Sequence, residues 1–324
     1  MIKIIDLFAG IGGIRRGFEQ ASEGAVECVF TSEWDAFANK TYAANYPNET
    51  IFGDITAVDV NDIPDHDILL GGFPCQPFSQ AGLKKGFDDT RGTLFFDIER
   101  ILIAKQPKAF LLENVKRLRT HDNGRTLEII LKHVKEAGYK NVHVEVLKAR
   151  DFGLPQNRER IFIVGFLDEN VKFEFPSPTN IETRVGDILE SDIDEKYTIS
   201  DKLWAGHQRR KAENKLKGKG FGFGIVNKNS EYTNTISARY YKDGSEILVQ
   251  QEGKNPRKLT PREAARLQGY PDTFIIPVSD NQAYKQFGNS VPVNTIEAVA
   301  REMLKGLENT KKGINNNLEL QVVE

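Results

Sequence analysis

The chain is poor in cysteine: Cys28 and Cys75 are its only two. That excludes a disulfide scaffold or a cysteine-rich zinc protein and suits a reducing cytoplasm. No apolar run reaches roughly 18 residues, so no transmembrane helix is expected. The start, MIKIIDLFAG, lacks a signal peptide's basic opening, long apolar core and small-residue cleavage site. No internal repeat is present, and the net charge of −2 argues by itself for no class of partner. What is present suffices for a folded core. Of 324 residues, 39% are hydrophobic and 20 are Phe, which rules out a largely disordered chain.

Residues 1–166 alternate short apolar runs with amphipathic stretches. Ile2–Ile5, Val26–Phe30, Asp67–Leu70, Ala109–Leu112, Val142–Leu147 and Ile161–Phe166 read as strands; Gly13–Ala21, Ala36–Asn45, Leu94–Lys105 and Thr126–Ala137 read as helices. This alternation predicts an α/β fold with a mostly parallel sheet, covered on both faces, whose ligands lie beyond the carboxyl ends of the strands. The texture changes at Pro176–Ser177–Pro178. Residues 182–195 carry a net −5 and residues 196–221 a net +6. The following FGFGIVNKNSEYTNTISARYYKDGSEIL reads as short strands and turns. Residues 176–258 are therefore expected to form a second, smaller, mostly β domain. Residues 283–307 return to helical periodicity with Pro292 near a first turn, and the Asn-rich tail from Asn309 reads as frayed.

Three motifs follow the strands. DLFAGIGG (Asp6–Gly13) joins the first strand to a helix, where glycines let the backbone approach a ligand and the helix start attracts negative charge. Arg15 stands where a dinucleotide fingerprint needs its third glycine, and no Gly-Lys-Ser/Thr follows, so the ligand carries no pyrophosphate. Glu33, 21 residues past Gly12, is placed to bond ribose hydroxyls. Trp34 is placed to stack on a purine, and Asp54 to accept from an exocyclic amine. The second motif, GGFPCQPFSQAG (Gly71–Gly82), holds Cys75 at a strand's carboxyl end between Pro74 and Pro77, unlike Cys28 inside VECVF, which reads as a buried hydrophobe. In the third group, LLENV sets Glu113 at another strand end, where burial would raise its pKa. QNRER sets Arg158 and Arg160 on one face of an extended segment and Glu159 on the other.

DLFAGIGG, GGFPCQPFSQAG, ENV, QNRERIF, LTPREAARLQGYPDTF and QAYKQFGNSVPVN occur in that order between about residues 3 and 305. Together they resemble the motif set of the cytosine-5 DNA methyltransferases, particularly the bacterial restriction-modification enzymes. The resemblance implies a Rossmann-like, S-adenosylmethionine-dependent methyltransferase sheet formed by 1–175 and completed by 259–324, with 176–258 inserted as a target-recognition domain. It implies Cys75 as the nucleophile that adds to carbon 6 of cytosine, Glu113 on the base's N3 and amine edge, Arg160 on its O2 and Arg158 as support, with the Phe73 carbonyl accepting from the amine. No residue stands out as acceptor of the carbon-5 proton, and water serves as one alternative. For the cofactor it implies Phe8, Gly10, Ile11, Gly13, Glu33, Trp34, Asp54, Ile55, Pro74, Leu94, Asn289 and Ser290, and no metal.

Chemistry on a stacked base requires extruding it from the duplex. The segment from Cys75 to about Arg91, with Lys84 and Lys85, is expected to close over the flipped nucleotide. Arg209 and Arg210 in the basic segment are expected on phosphates, and Arg239, flanked by Tyr240, Tyr241 and Lys242, on a base edge. TISARYYKDGSEIL is similar to the target segment of family members that methylate CCGG or CC(A/T)GG. The partners implied are double-stranded DNA and a cognate restriction endonuclease, with no membrane, for a monomer in the bacterial cytoplasm. Three rivals stay open at this point: the same fold acting on RNA, a DNA-binding protein without the chemistry, and a nicotinamide oxidoreductase.

Overall fold

The computed structural model describes residues 1–73 and 94–321, with side chains through 311. A seven-stranded sheet runs in the order β3-β2-β1-β4-β5-β7-β6. Its strands are β1 (Ile2–Leu7), β2 (Val26–Ser32), β3 (Ile51–Phe52), β4 (Ile68–Gly72), β5 (Ala109–Val115), β6 (Asn141–Lys148) and β7 (Glu159–Phe166). The helices between them are α1 (Gly13–Ala21), α2 (Ala36–Asn45), α3 (Phe95–Lys105) and α4 (Arg125–Glu136). Pairings β1–β2, β1–β4, β2–β3 and β4–β5 are parallel, whereas β7 is antiparallel to both β5 and β6. The reversal has a chain-length cause. Only residues 149–158 join β6 to β7, too short for a helical crossover, so the two strands form a hairpin. Its consequence is functional: Arg160 at the start of β7 pairs with Val115 at the end of β5. The segment before β7 therefore arrives at the same edge as the carboxyl ends of the parallel strands.

Successive strand residues feed opposite faces. Ile4, Leu70, Leu111 and Val164 pack with Phe18 of α1 on one side, and Ile5, Leu69, Leu112 and Ile163 pack with Ile101 of α3 and Ile130 of α4 on the other. Both faces are thus covered, as a mostly parallel sheet requires. Three more helices follow: α5 (Asp201–Leu216) in the middle of the chain, then α6 (Pro261–Leu267) and α7 (Asp280–Asn289). The last helix, α8 (Val293–Gln321), returns to the first face with Ile296, Val299 and Met303 buried there. A Cβ on Gly17 of α1 would stand 2.5 Å from Ile296 Cγ2, which shows how closely α1 and α8 meet. No helix among the described residues is long and apolar enough to cross a membrane.

Two expectations need correction. The expected mostly β character of 176–258 does not hold. Its regular structure is the 16-residue helix α5, short 3-10 turns, and two two-residue strands, β8 (Ile225–Val226) and β9 (Leu248–Val249). Its β-branched and aromatic residues serve a core rather than a ladder, and backbone pairs such as Val185 N to Ser230 O and Ile199 N to Pro256 O join its segments a residue or two at a time. That core (Val185, Ile236, Tyr240, Ile247) is continuous with Leu259, Ala265, Tyr284 and Phe287. The tail from Asn309, expected to fray, continues α8 to Gln321.

Candidate active site

The loop from Phe8 to Gly12 leaves β1 in left-handed backbone: φ is +56° at Phe8, +57° at Gly10 and +81° at Gly12. Such values are unfavourable for phenylalanine, so the loop must be held from outside. Glu33 does this. Its Oε2 accepts from Gly10 N at 2.8 Å and its Oε1 from Asp35 N at 2.7 Å, joining the loop to the start of α2. Each carboxylate oxygen keeps a further lone pair for a ligand. Glu33 is 7% exposed, while the adjacent Trp34 is 79% exposed. Asp54 Oδ1 accepts from Thr56 N at 3.0 Å, and Arg100 of α3 donates to Ile55 O at 2.6 Å. Ile11 is buried in the third apolar cluster. Gly13 lies against the Asn289–Ser290 segment: a Cβ there would be 2.7 Å from Tyr270 Oη and 3.0 Å from Ser290 Oγ. Those two hydroxyls share a hydrogen bond of 2.7 Å. Asn289 ends α7 and is exposed, and half-buried Leu94 immediately precedes α3. An exposed indole, two carboxylates and no basic residue among 8–13, 33–34 and 54–55 suit an uncharged or cationic adenosine better than a phosphate.

Along the same edge, β5 and β7 bring Glu113, Arg158 and Arg160 together. Arg160 Nε stands 2.8 Å from Glu113 Oε1, and that oxygen is buried without an aligned hydrogen-bond donor. Burial raises the Glu113 pKa, against the charges of Arg160 and Arg158. Arg158 is fully buried and donates to the carbonyls of Ile236 (3.0 Å), Gly288 (3.0 Å) and Ser290. Burial and the neighbouring Arg160 disfavour its charge, and these bonds offset that cost. It therefore ties the start of β7, the Asn289–Ser290 segment and Ile236 through one guanidinium. Glu159 points the other way, to Lys116 at 2.8 Å. Asn114 Nδ2 donates to the Phe73 carbonyl at 2.8 Å, fixing the last described residue before the Cys75 segment. Pro74, Cys75, Lys84 and Lys85 lie outside the described residues. Cys28 accords with a structural role: burial pushes its thiol pKa up to about 11. A cleft of 840 Å³ near Arg150, Pro178, Ile181 and Tyr232 is lined by none of these candidate residues.

The model of the C-5 cytosine-specific DNA methylases matches residues 2–305. The chain belongs to that family. This methylase is 71% identical over 307 residues to the Type II methyltransferase M.NlaX of Neisseria lactamica, covering 95% of this chain and 97% of that protein. It is 42% identical to the DNA-cytosine methyltransferase of Escherichia coli strain K12 over 366 residues, covering 92% and 76%. A mutant of Spodoptera frugiperda DNMT2 superposes with a TM-score of 0.78 at 23% identity, over 95% of this chain and 99% of that one. That likeness carries the fold alone.

The methylase's expected DNA-reading residues separate on inspection. Arg239 and Lys242 are exposed on a turn and Tyr241 is half-buried. Tyr240 is corrected: it is fully buried, donating to Ile247 O and accepting from Leu259 N, both at 2.7 Å, so it is a core residue and reads no base. Arg209 and Arg210 are both exposed, but Arg210 reaches Asp243 at 3.1 Å and His207 at 2.8 Å. Several residues that position the site were given no role from the sequence, although Gln156 and Gln268 lie within quoted motifs. Arg100 acts across from another helix. Gln156 and Gln268 join the β7 lead-in to α6 through buried amide bonds. Asn114 was visible only as part of ENV, and Tyr270 only as part of LQGYPDTF.

Proposed function

We propose that this chain transfers a methyl group from S-adenosylmethionine to carbon 5 of a cytosine flipped out of duplex DNA, at a short palindrome beginning with CC. CCGG or CC(A/T)GG are the sites its target segment resembles. The observation that carries the reading is the Glu113–Arg160 pair, buried at the carboxyl edge beside the Phe73 carbonyl, two residues ahead of Cys75 in sequence. The residues of the first loop fit the cofactor: Trp34 offers an exposed ring for adenine, Glu33 for the ribose, Asp54 and Ile55 for the adenine edge. Phe8, Gly10, Ile11 and Gly13 line the backbone path, with Leu94, Asn289 and Ser290 closing it; Pro74, outside the described residues, is assigned to the cofactor by sequence alone. When bound, S-adenosylmethionine supplies an electrophilic methyl on a sulfonium.

The chain's own residues do the rest. The Cys75 thiolate forms a bond to carbon 6, which makes carbon 5 enamine-like. Glu113, kept protonated to higher pH by burial, bonds N3 as charge develops there, and Arg160 holds O2. Once carbon 5 carries the methyl, loss of its proton to a base, for which water is sufficient, restores the 5,6 double bond and expels the thiolate. Extruding the cytosine costs a few kcal/mol of stacking, which Lys84, Lys85 and Arg209 offset on the phosphates while Arg239 reads a base edge. The Type II relatives favour protection of DNA against a cognate restriction endonuclease, by a monomer in the bacterial cytoplasm. Bisulfite sequencing of DNA from cells expressing the chain tests this directly. Protected cytosines confined to one short motif are expected; uniform conversion by bisulfite would overturn the reading.

A further inference from the structure

Helix α5 carries much of the basic run, but its attachment is unusual. Its 16 residues include a single buried one, His207, 1% exposed. His207 Nε2 lies 3.1 Å from the carbonyl of Asp243, and its Nδ1 lies 2.8 Å from Arg210. Both contacts are satisfied by the neutral tautomer with hydrogen on Nε2, which donates to Asp243 while Nδ1 accepts from the guanidinium. Arg210 also donates to Asp243 Oδ2 at 3.1 Å. Two residues one turn apart on α5 thus grip both the backbone and the side chain of Asp243. On the same face, Trp204 meets Phe223 edge-on at 4.9 Å and Lys211 lies 4.2 Å over that ring.

Asp243 is one end of the turn that presents Arg239, Tyr241 and Lys242. The turn is closed by Lys242 N to Arg239 O at 2.9 Å and Gly244 N to Tyr240 O at 3.0 Å. Buried Tyr240 anchors it from below, and its beginning presses on the end of α7, where a Cβ on Gly288 would stand 2.4 Å from Ala238 N. Asp243 is where α5 holds the turn from the other side.

We propose that α5 is a brace for the base-reading turn, with Arg210 and His207 as positioning residues that set target specificity through Asp243. Arg210 is then no phosphate contact, and Arg209 on the outward face keeps that role. The proposal rests on the reading of Arg239 as a base contact, and the test separates the two. Steady-state methylation is measured for the full chain on a duplex carrying the site found by bisulfite sequencing and on one with a single base pair changed, across a salt series.

For Arg210→Ala and Asp243→Ala, the ratio of kcat/KM between the two duplexes is expected to fall about three- to tenfold, in line with a partly exposed ion pair plus lost turn geometry. The double variant should be no worse than the more affected single one, the salt slope unchanged, and Arg210→Lys should recover part of the ratio. Arg209→Ala should keep the ratio and flatten the log–log salt slope by about 1. A flattened slope with an intact ratio for Arg210→Ala, or strictly additive losses in the double variant, overturns the brace. Arg239→Ala is the separate control. If it leaves the ratio intact while Arg210→Ala lowers it, the brace stands and another turn residue reads the base. If neither lowers the ratio, both assignments fall.

Discussion

Replacing Gly13 by alanine isolates one contact of the loop proposed to hold the cofactor. Gly13 begins α1 without positive φ, so no backbone strain accompanies the change. By helix propensity alone, alanine would stabilise the chain by up to about 1 kcal/mol. Space dictates the opposite. The added methyl would stand 2.7 Å from Tyr270 Oη, 2.8 Å from Val291 Cγ2 and 3.0 Å from Ser290 Oγ. Overpacking of this kind costs about 1–3 kcal/mol. Parting the Tyr270–Ser290 hydroxyls removes roughly another 1 kcal/mol. A net loss of about 1–3 kcal/mol is therefore expected in denaturant unfolding, with calorimetric binding of S-adenosylhomocysteine weakened about tenfold or more as Ser290 shifts. Gly10→Ala is the contrasting case. Nothing lies within 4 Å of its Cβ, but φ is +57°, so its cost of about 1 kcal/mol is purely conformational. A Gly13→Ala protein as stable as the parent and binding the product as tightly would refute the packing.

Other consequences are equally direct. Glu113→Gln keeps the shape of the side chain but removes the acidic proton offered to N3, and should lower single-turnover methylation by about a hundredfold or more. Because burial raises the Glu113 pKa, the parent's rate should decline as pH rises through that raised value, and a pH–rate profile of the Gln variant should lack that limb. Trp34→Ala removes an exposed ring, so S-adenosylhomocysteine affinity should fall about tenfold with the unfolding midpoint unchanged. Asp6 is buried with both carboxylate oxygens unpartnered, and burial pushes its pKa up to about 8. The folded chain then holds a proton that the unfolded chain releases near pH 4, so this contribution to stability is full below that pH and is lost as pH rises to about 8. Relative to Asp6→Asn, the parent's stability should fall by up to about 1.4 kcal/mol per pH unit across that window. Parallel curves from urea titrations would contradict the burial assigned to Asp6.

The strands were legible as short apolar runs bounded by polar turns, and α1, α3 and α4 as stretches with apolar residues at helical spacing; α1 and α2 begin and end where read. The edge placement of Glu113 was legible for the same reason. The convergence of Arg158 and Arg160 on it was legible only as a shared face, since the reversal of β7 depends on the shortness of residues 149–158. The segment 176–258 misled because Thr, Tyr and Ile favour strands locally, whereas here they fill a core shared with α6 and α7. Tyr240 shows the limit most clearly. Between Arg239 and Tyr241 it has the composition of a DNA-contacting residue, and only the packing of Leu259 and Ile247 against it shows that its hydroxyl is occupied. Arg210 and Arg209 are indistinguishable as neighbours in sequence, yet the helix turns one toward Asp243 and the other outward.

The account's central claim is a transient bond from Cys75 to carbon 6 of the target base, and duplex DNA carrying 5-fluorocytosine at the methylated position tests it. Fluorine cannot leave as a proton does, so with S-adenosylmethionine present the parent chain should accumulate a denaturation-resistant protein–DNA adduct and Cys75→Ser should form none. An adduct that persists in Cys75→Ser, or methylation of ordinary DNA by that variant at the parent's rate, would contradict the claim.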